Sequence, residues 1–219
     1  MNTFQYIIDK YKITVGNKYI IDIPNMGRSD MTALFAELGF RVGVEVGVAE
    51  GDYSEVLCKA NPNLRLYSVD PWLLTAYEPD IIPAEAGNVD SQIVFDQMAE
   101  RCKKKLAPYN CTILRKTSME ALKDFADNSL DFVYIDANHD FLTFIQDLHY
   151  WKRKVRIGGI ISGHDYAVFS YRKRNHVKRA LDAYATSFRM TPFFVIGSYD
   201  IILGETRDRQ RSWMWVKNK

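Results

Sequence analysis

The chain alternates between two hydrophobic rhythms. Met31, Leu34, Phe35 and Leu38 recur at helical spacing behind Ser29, a residue suited to an N-cap, until Gly39 ends the turn. Arg41 to Val46 then reads as a strand, a glycine-containing loop follows, and Tyr53, Val56, Leu57 and Ala60 mark the buried stripe of the next helix. Asn61-Pro62-Asn63 breaks the chain before a second strand, Leu64 to Val69, which stops at Asp70-Pro71. Strand, loop, helix and strand together make a βαβ unit.

The rhythm lapses from Trp72 to Asn88, a proline-containing stretch too long for a simple connector and read here as a lid-like loop over residues 72–88. Phe95, Met98, Cys102 and Leu106 restore the helical period, Cys111 to Leu114 is a short strand, and Met119 to Phe125 a short helix. Leu130 to Ile135 is a strongly apolar strand. A helix burying Phe141, Phe144, Ile145, Leu148 and Trp151 leads through Gly158-Gly159 to the strand Ile160 to Ser162, and a last helix carries Val177, Ala180, Leu181, Tyr184 and Phe188 inward.

Such alternation forces parallel strands with helices on both faces, so the expected architecture is α/β, a Rossmann-like doubly wound sheet. Phe193 to Ile196, Ile201 to Leu203 and Ser212 to Val216 are strand-like with no helix between them, which predicts an antiparallel C-terminal strand and leaves open which two of the three pair.

Length changes the picture by limiting it: 219 residues suit one domain spanning 1–219, with residues 1–28 as an N-terminal extension. A net charge of +2 gives no general field for a polyanion, and the basic runs Lys152, Arg153, Lys154, Arg156 and Arg172, Lys173, Arg174, Lys178, Arg179 lack interleaved stacking aromatics, so nucleic acid is not the expected partner. Three cysteines without a CxxC pair argue against a thiolate zinc site and a disulfide framework. With no apolar run long enough to span a bilayer and charged residues inside the opening segment, a cytoplasmic protein without a membrane partner is expected. The pattern leaves room for a homo-oligomer without fixing its state.

In an open parallel sheet ligands bind beyond the carboxyl ends of the strands at the switch point, which gathers the first loop, Asp70 and the ends of later strands. The loop reads Glu45-Val46-Gly47-Val48-Ala49-Glu50-Gly51, where Gly47 permits a tight turn and Gly51 lets a ligand approach the following helix. A dinucleotide site would present its helix N-terminus to a pyrophosphate, and Glu45 and Glu50 would repel that group. They suit a nucleoside that carries an ammonium and no phosphate, a description S-adenosylmethionine meets. Asp70 is placed to accept hydrogen bonds from ribose hydroxyls, with Trp72 or Tyr67 shielding the sugar.

Glu45-Val46-Gly47 with Gly51, Tyr53 and Ser54, then Asp70, resembles the first two signature motifs of class I S-adenosylmethionine-dependent methyltransferases. Phe132 to His139 and Gly158 to Tyr166 resemble the fourth- and fifth-strand motifs of a subgroup (family 24-like) that includes small-molecule and sugar O-methyltransferases. The resemblance spans roughly residues 40 to 166. It implies a seven-stranded sheet whose last strand is antiparallel, adenine near Lys116, Thr117, Ser118 and Met119, the methionine end near Glu45 and Gly47, and Asp136 beside the methyl transfer. In the related catechol-type enzymes, residues at the motif positions of Asp136 and Asp165 hold a divalent metal, Mg²⁺ or Mn²⁺, although Tyr166 stands here where an Asn usually follows.

Several residues have competing roles on sequence grounds. Asp136 either serves the site or caps the helix that begins near Phe141; His139 and His164, each at a strand end, are candidate bases, metal ligands or structural donors. Asp165 is a metal ligand, a base, or a carboxylate satisfied by loop amides, and a histidine beside two aspartates would favour Mn²⁺, Fe²⁺ or Zn²⁺ over Mg²⁺. His149 and His176 fall on helices and are expected to be structural. Trp213 and Trp215 are expected to pack, and Tyr11, Tyr19 and Tyr77 reach the substrate only if their segments fold over the crevice. The expected function is methylation of an oxygen on a small molecule or sugar; N- or nucleic-acid methylation, or a catalytically silent nucleoside-binding domain, are the alternatives.

Overall fold

A computed structural model describes residues 2–76, 91–168, 175–190 and 192–218. In chain order the elements are α1 (Thr3–Tyr11), β1 (Ile20–Ile23), α2 (Arg28–Glu37), β2 (Val42–Val46), α3 (Asp52–Ala60), β3 (Arg65–Val69), α4 (Ser91–Leu106), β4 (Cys111–Leu114), α5 (Ser118–Ala121), β5 (Leu130–Ile135), α6 (Phe141–Lys154), β6 (Val155–Gly163), α7 (Val177–Phe188), β7 (Phe193–Ile196) and β8 (Ser212–Val216). Short 3₁₀ turns follow β3 at Leu74–Ala76 and α5 at Leu122–Asp124.

The strands form one eight-stranded sheet in the order β1-β7-β8-β6-β5-β2-β3-β4. β8 runs antiparallel to both β6 and β7; all other pairings are parallel. The chain reverses direction of winding between β2 and β5, and that is where the sheet opens a crevice at its carboxyl edge.

Alternation along β5 explains the two-sided core. Val133 and Ile135 point into a cluster with Phe144, Leu148 and Trp151 of α6 and Ala180, Leu181 and Tyr184 of α7. Phe132 and Tyr134 point into the opposite cluster with Ile7 of α1, Met31, Leu34 and Phe35 of α2, and Tyr53 and Leu57 of α3. The Phe132 ring stacks on Phe35 at 4.3 Å, and lies where a Gly43 side chain would be, 2.1 Å from that missing Cβ. Only glycine at this point of β2 lets the ring lie against the sheet.

The structure departs from the sequence reading in a few places. The sheet has one strand more than expected: Ile20–Ile23, inside the supposed N-terminal extension, adds β1 to the edge through β7. Ile201 to Leu203 is not a strand, because both edges of β7 are already taken by β1 and β8; these residues are strongly exposed instead. α2 begins one residue before Ser29, with Gly27 at the cap and the Asp30 carboxylate accepting the Gly27 N–H at 2.7 Å. Phe141 and Phe188, expected inward, are 41% and 49% exposed at the ends of their helices. Trp213 and Trp215 are core residues, as expected. No described helix is long and apolar enough to cross a membrane.

Candidate active site

The walls of the crevice are set by two backbones that nearly touch. Gly47, just past β2, has φ +85° and donates its N–H to Val69 O at 2.9 Å. A Cβ on Gly47 would stand 2.2 Å from the Asp136 carbonyl, while the Asp136 N–H donates to Val46 O at 2.8 Å. Close approach and left-handed backbone both demand glycine here. Asp136 does not cap α6: Asp140 does, accepting from the N–H groups of Leu142 and Thr143 at 3.0 and 3.1 Å, which frees Asp136 for the cavity.

Between these walls lies a cavity of about 610 Å³, within the usual range for small-molecule sites. Of the residues singled out from sequence, Glu45, Gly47, Tyr53, Asp70, Thr117, Ser118, Asp136 and His139 line it. Ser54, Gly51, His164 and Asp165 do not. Ser54 lies behind Glu45 and donates to its carboxylate, while its hydroxyl also meets Ser68 Oγ at 2.6 Å. Gly51 is turned from the cavity: with φ +80° it packs against Cys102 and Leu106 of α4, where a Cβ would stand 2.9 Å from Cys102 Sγ.

Glu45 is fully buried, and burial pushes its pKa up to about 8 against the opposing Ser54 hydroxyl and the Arg28 charge. Glu50 has its charge answered by Arg101 at 2.8 Å, and Glu45 with its raised pKa holds its proton at neutral pH until a cation draws it into the charged form. Asp70 organises the loop directly: Oδ2 accepts from the Val48 and Ala49 amides at 2.9 and 3.0 Å, and Oδ1 from the Trp72 amide at 2.9 Å. Trp72 is a buried plug, its indole donating to Ala49 O at 2.9 Å, and Tyr67 packs edge-on against Phe125; neither lines the cavity. The rest of the 72–88 segment beyond Ala76, Tyr77 included, lies outside the described residues. Tyr11 and Tyr19 do not line the cavity either; Tyr19 sits edge-on to Phe193 where β1 begins, at the opposite edge of the sheet.

At the other end of the cavity Thr117 caps α5 in a reciprocal pair with Glu120, and Ser118 donates to Asp147 while accepting from Trp151 Nε1 at 2.8 Å. Asp147, on α6, is fully buried with Oδ2 unpartnered, and burial raises its pKa to about 7 against the opposing Ser118 hydroxyl. Lys116 turns outward to Asp124 at 2.6 Å.

His139 projects into the cavity with Nε2 2.9 Å from Asp165 Oδ2. His164 stands behind, its Nδ1 3.5 Å from Asp165 and its Nε2 3.6 Å from Asp208. Burial opposes charge on both imidazoles but the carboxylates outweigh it, raising His139 and bringing His164 up to about 9. Burial likewise opposes charge on Asp165, and the two imidazoles nevertheless hold it far below the usual carboxylate range. The geometry thus separates two histidines that looked alike in sequence. Tyr166 donates to Asp182 at 2.7 Å and is structural, as is His149, whose Nδ1 meets the Tyr184 hydroxyl at 2.9 Å.

Sequence reasoning missed Arg28. It comes from the first turn of α2, lies over the Tyr53 ring at 4.1 Å and the Tyr134 ring at 5.0 Å, and places NH2 2.6 Å from Asp136 Oδ2. No motif marks it, since only the packing of α2 on the sheet brings it to the cavity.

Comparison with known proteins agrees with this geometry. A family model described as a methyltransferase domain matches residues 44–166, more than half of the chain. Among solved structures, a cofactor-bound protein from MTB, Rv0187, is 16% identical with a TM-score of 0.58, covering 88% of this chain and 80% of its own. An O-methyltransferase from Bacillus cereus in complex with SAH is 12% identical with a TM-score of 0.56, covering 98% and 87%. The O-methyltransferase TomG from Streptomyces achromogenes, in complex with SAM, is 14% identical with a TM-score of 0.56, covering 87% and 80%. No curated protein matches the chain. At such identities the structural likeness speaks to the fold, a Rossmann-like methyltransferase sheet, and the matched residues run from β2 through the Asp165 loop. The chain belongs to the methyltransferase-domain family.

Proposed function

We propose that the protein transfers a methyl group from S-adenosylmethionine to a hydroxyl of a small molecule. The observation that carries the reading is the wall of the cavity between β2 and β5: buried Glu45 at one point, and at another His139, backed by Asp165 and beside Asp136. S-adenosylmethionine supplies a methyl on a sulfonium, ready for in-line displacement by an oxygen lone pair.

The chain's own residues do the rest. Glu45 meets the ammonium of the amino-acid end; Asp70 shapes the loop at the ribose end of the cavity; Thr117, Ser118 and Met119 flank the adenine. His139 takes the proton that the acceptor hydroxyl loses, and Asp165, gripped from behind by His164, holds that imidazole in place. Alignment of the two reactants supplies much of the rate.

A second reading has a specific observation behind it: ligand atoms of Asp136, His139 and Asp165 all lie within 4.8 Å of one another. Two carboxylates and an imidazole fit Mn²⁺, Fe²⁺ or Zn²⁺. Bound there, such an ion would lower the pKa of the acceptor hydroxyl. Arg28 already stands on Asp136 and His139 on Asp165, so a metal would have to share or displace them.

The test is single-turnover transfer of labelled methyl to a panel of hydroxyl acceptors, with wild type and His139→Gln, before and after chelation and metal add-back. Transfer that survives chelation and fails in His139→Gln supports the base; transfer restored only by metal supports the ion; no transfer to any acceptor refutes O-methylation.

A further inference from the structure

Among the described residues lining the cavity, Arg28 is the sole lysine or arginine, against the carboxylates of Glu45, Glu50, Asp52, Asp70, Asp136 and Asp147. An amino-acid end is a zwitterion. Its ammonium is welcome in such a cavity, but its carboxylate is repelled unless one cation answers it. We propose that Arg28 is the carboxylate clamp of this site, binding the amino-acid carboxylate of the cofactor beside the ammonium held by Glu45. The inference rests on the cofactor reading above.

Three observations support it. The guanidinium carbon sits 4.1 Å from the Tyr53 ring centroid and 5.0 Å from that of Tyr134, contacts that restrain its fork before any ligand arrives. Its tie to Asp136 uses one terminal nitrogen, while 29% of the side chain stays exposed and the residue lines the cavity. Glu45 and Arg28 line the same cavity, so an acceptor for the ammonium and a donor for the carboxylate are both at hand.

The test is calorimetry with S-adenosylhomocysteine and with 5′-methylthioadenosine, which keeps the nucleoside and thioether but lacks the amino-acid end. Wild type should bind the first more tightly. Arg28→Met should weaken S-adenosylhomocysteine by about tenfold to a hundredfold, the range for a hydrogen bond to a charged group, and change methylthioadenosine by less than about threefold. Equal change for both ligands, or an unchanged S-adenosylhomocysteine affinity, overturns the inference, including the case in which Arg28→Met instead raises an acceptor's KM. If Arg28→Met does not fold, Arg28→Lys serves: full methylthioadenosine binding with partial loss of S-adenosylhomocysteine supports the clamp, and equal loss overturns it. Wild type that binds neither nucleoside refutes the cofactor reading itself.

Discussion

The carbonyl of Asp136 lies 2.2 Å from where a Cβ on Gly47 would stand, and this near contact fixes the width of the crevice at the switch between β2 and β5. Gly47→Ala would force the two strand ends apart and place an L side chain at φ +85°. Left-handed backbone and overpacking together should cost on the order of 2–4 kcal/mol, read as a lowered denaturant midpoint, with nucleoside affinity falling as well. A variant as stable as wild type would mean the strand ends are not pressed together.

Glu45 gives the protein a pH signature. Burial raises its folded pKa to about 8, above the ordinary value near 4.5, so the folded state holds the proton more tightly than the unfolded state. The stabilisation is therefore complete below the unfolded value and is lost as pH rises through about 8. Ligand-free protein should lose stability between about pH 5 and pH 9, and Glu45→Gln should flatten that slope. Chemical denaturation across this range checks it, and a slope unaffected by the substitution would dismiss Glu45 as its source.

His139 and His164 should separate in kinetics. His139→Gln should lower methyl transfer about 10²- to 10⁴-fold with cofactor affinity retained, as loss of a general base does. His164→Ala, which removes the support behind Asp165 and the contact with Asp208, should cost less. Because Asp165 raises the His139 pKa, the wild-type rate should climb with pH to a plateau above the ordinary imidazole value of about 6.5. Equal losses in the two variants would contradict the division of roles.

Trp72 should behave as a structural plug. Trp72→Ala empties a fully buried site among Val48, Phe95, Cys102 and Leu106 and removes the indole bond to Ala49, so a loss of about 3–5 kcal/mol is expected in an unfolding titration. If Trp72 instead shielded a sugar, ligand affinity would drop with little change in stability.

Much of this was legible in the sequence because the signals were local. Helical spacing located α3, α4, α6 and α7, the βαβ unit fixed the loop after β2, and the residues bordering the cavity at strand ends followed from that order. What stayed hidden depends on packing between distant segments. β1 is four residues with no period of its own, and it becomes a strand because β7 offers an edge. The close packing of α4 against Gly51 likewise has no local signal. Arg28 and Asp147 reach the cavity from α2 and α6, helices whose faces are decided by the sheet beneath them.

The central claim is that the cavity between Gly47 and Asp136 selects a cationic nucleoside over phosphorylated ones. Calorimetric titration of the protein with S-adenosylmethionine, S-adenosylhomocysteine, NAD and ATP measures this directly. Binding of the first two and neither of the others is the predicted result; NAD or ATP binding as tightly as S-adenosylmethionine would contradict it.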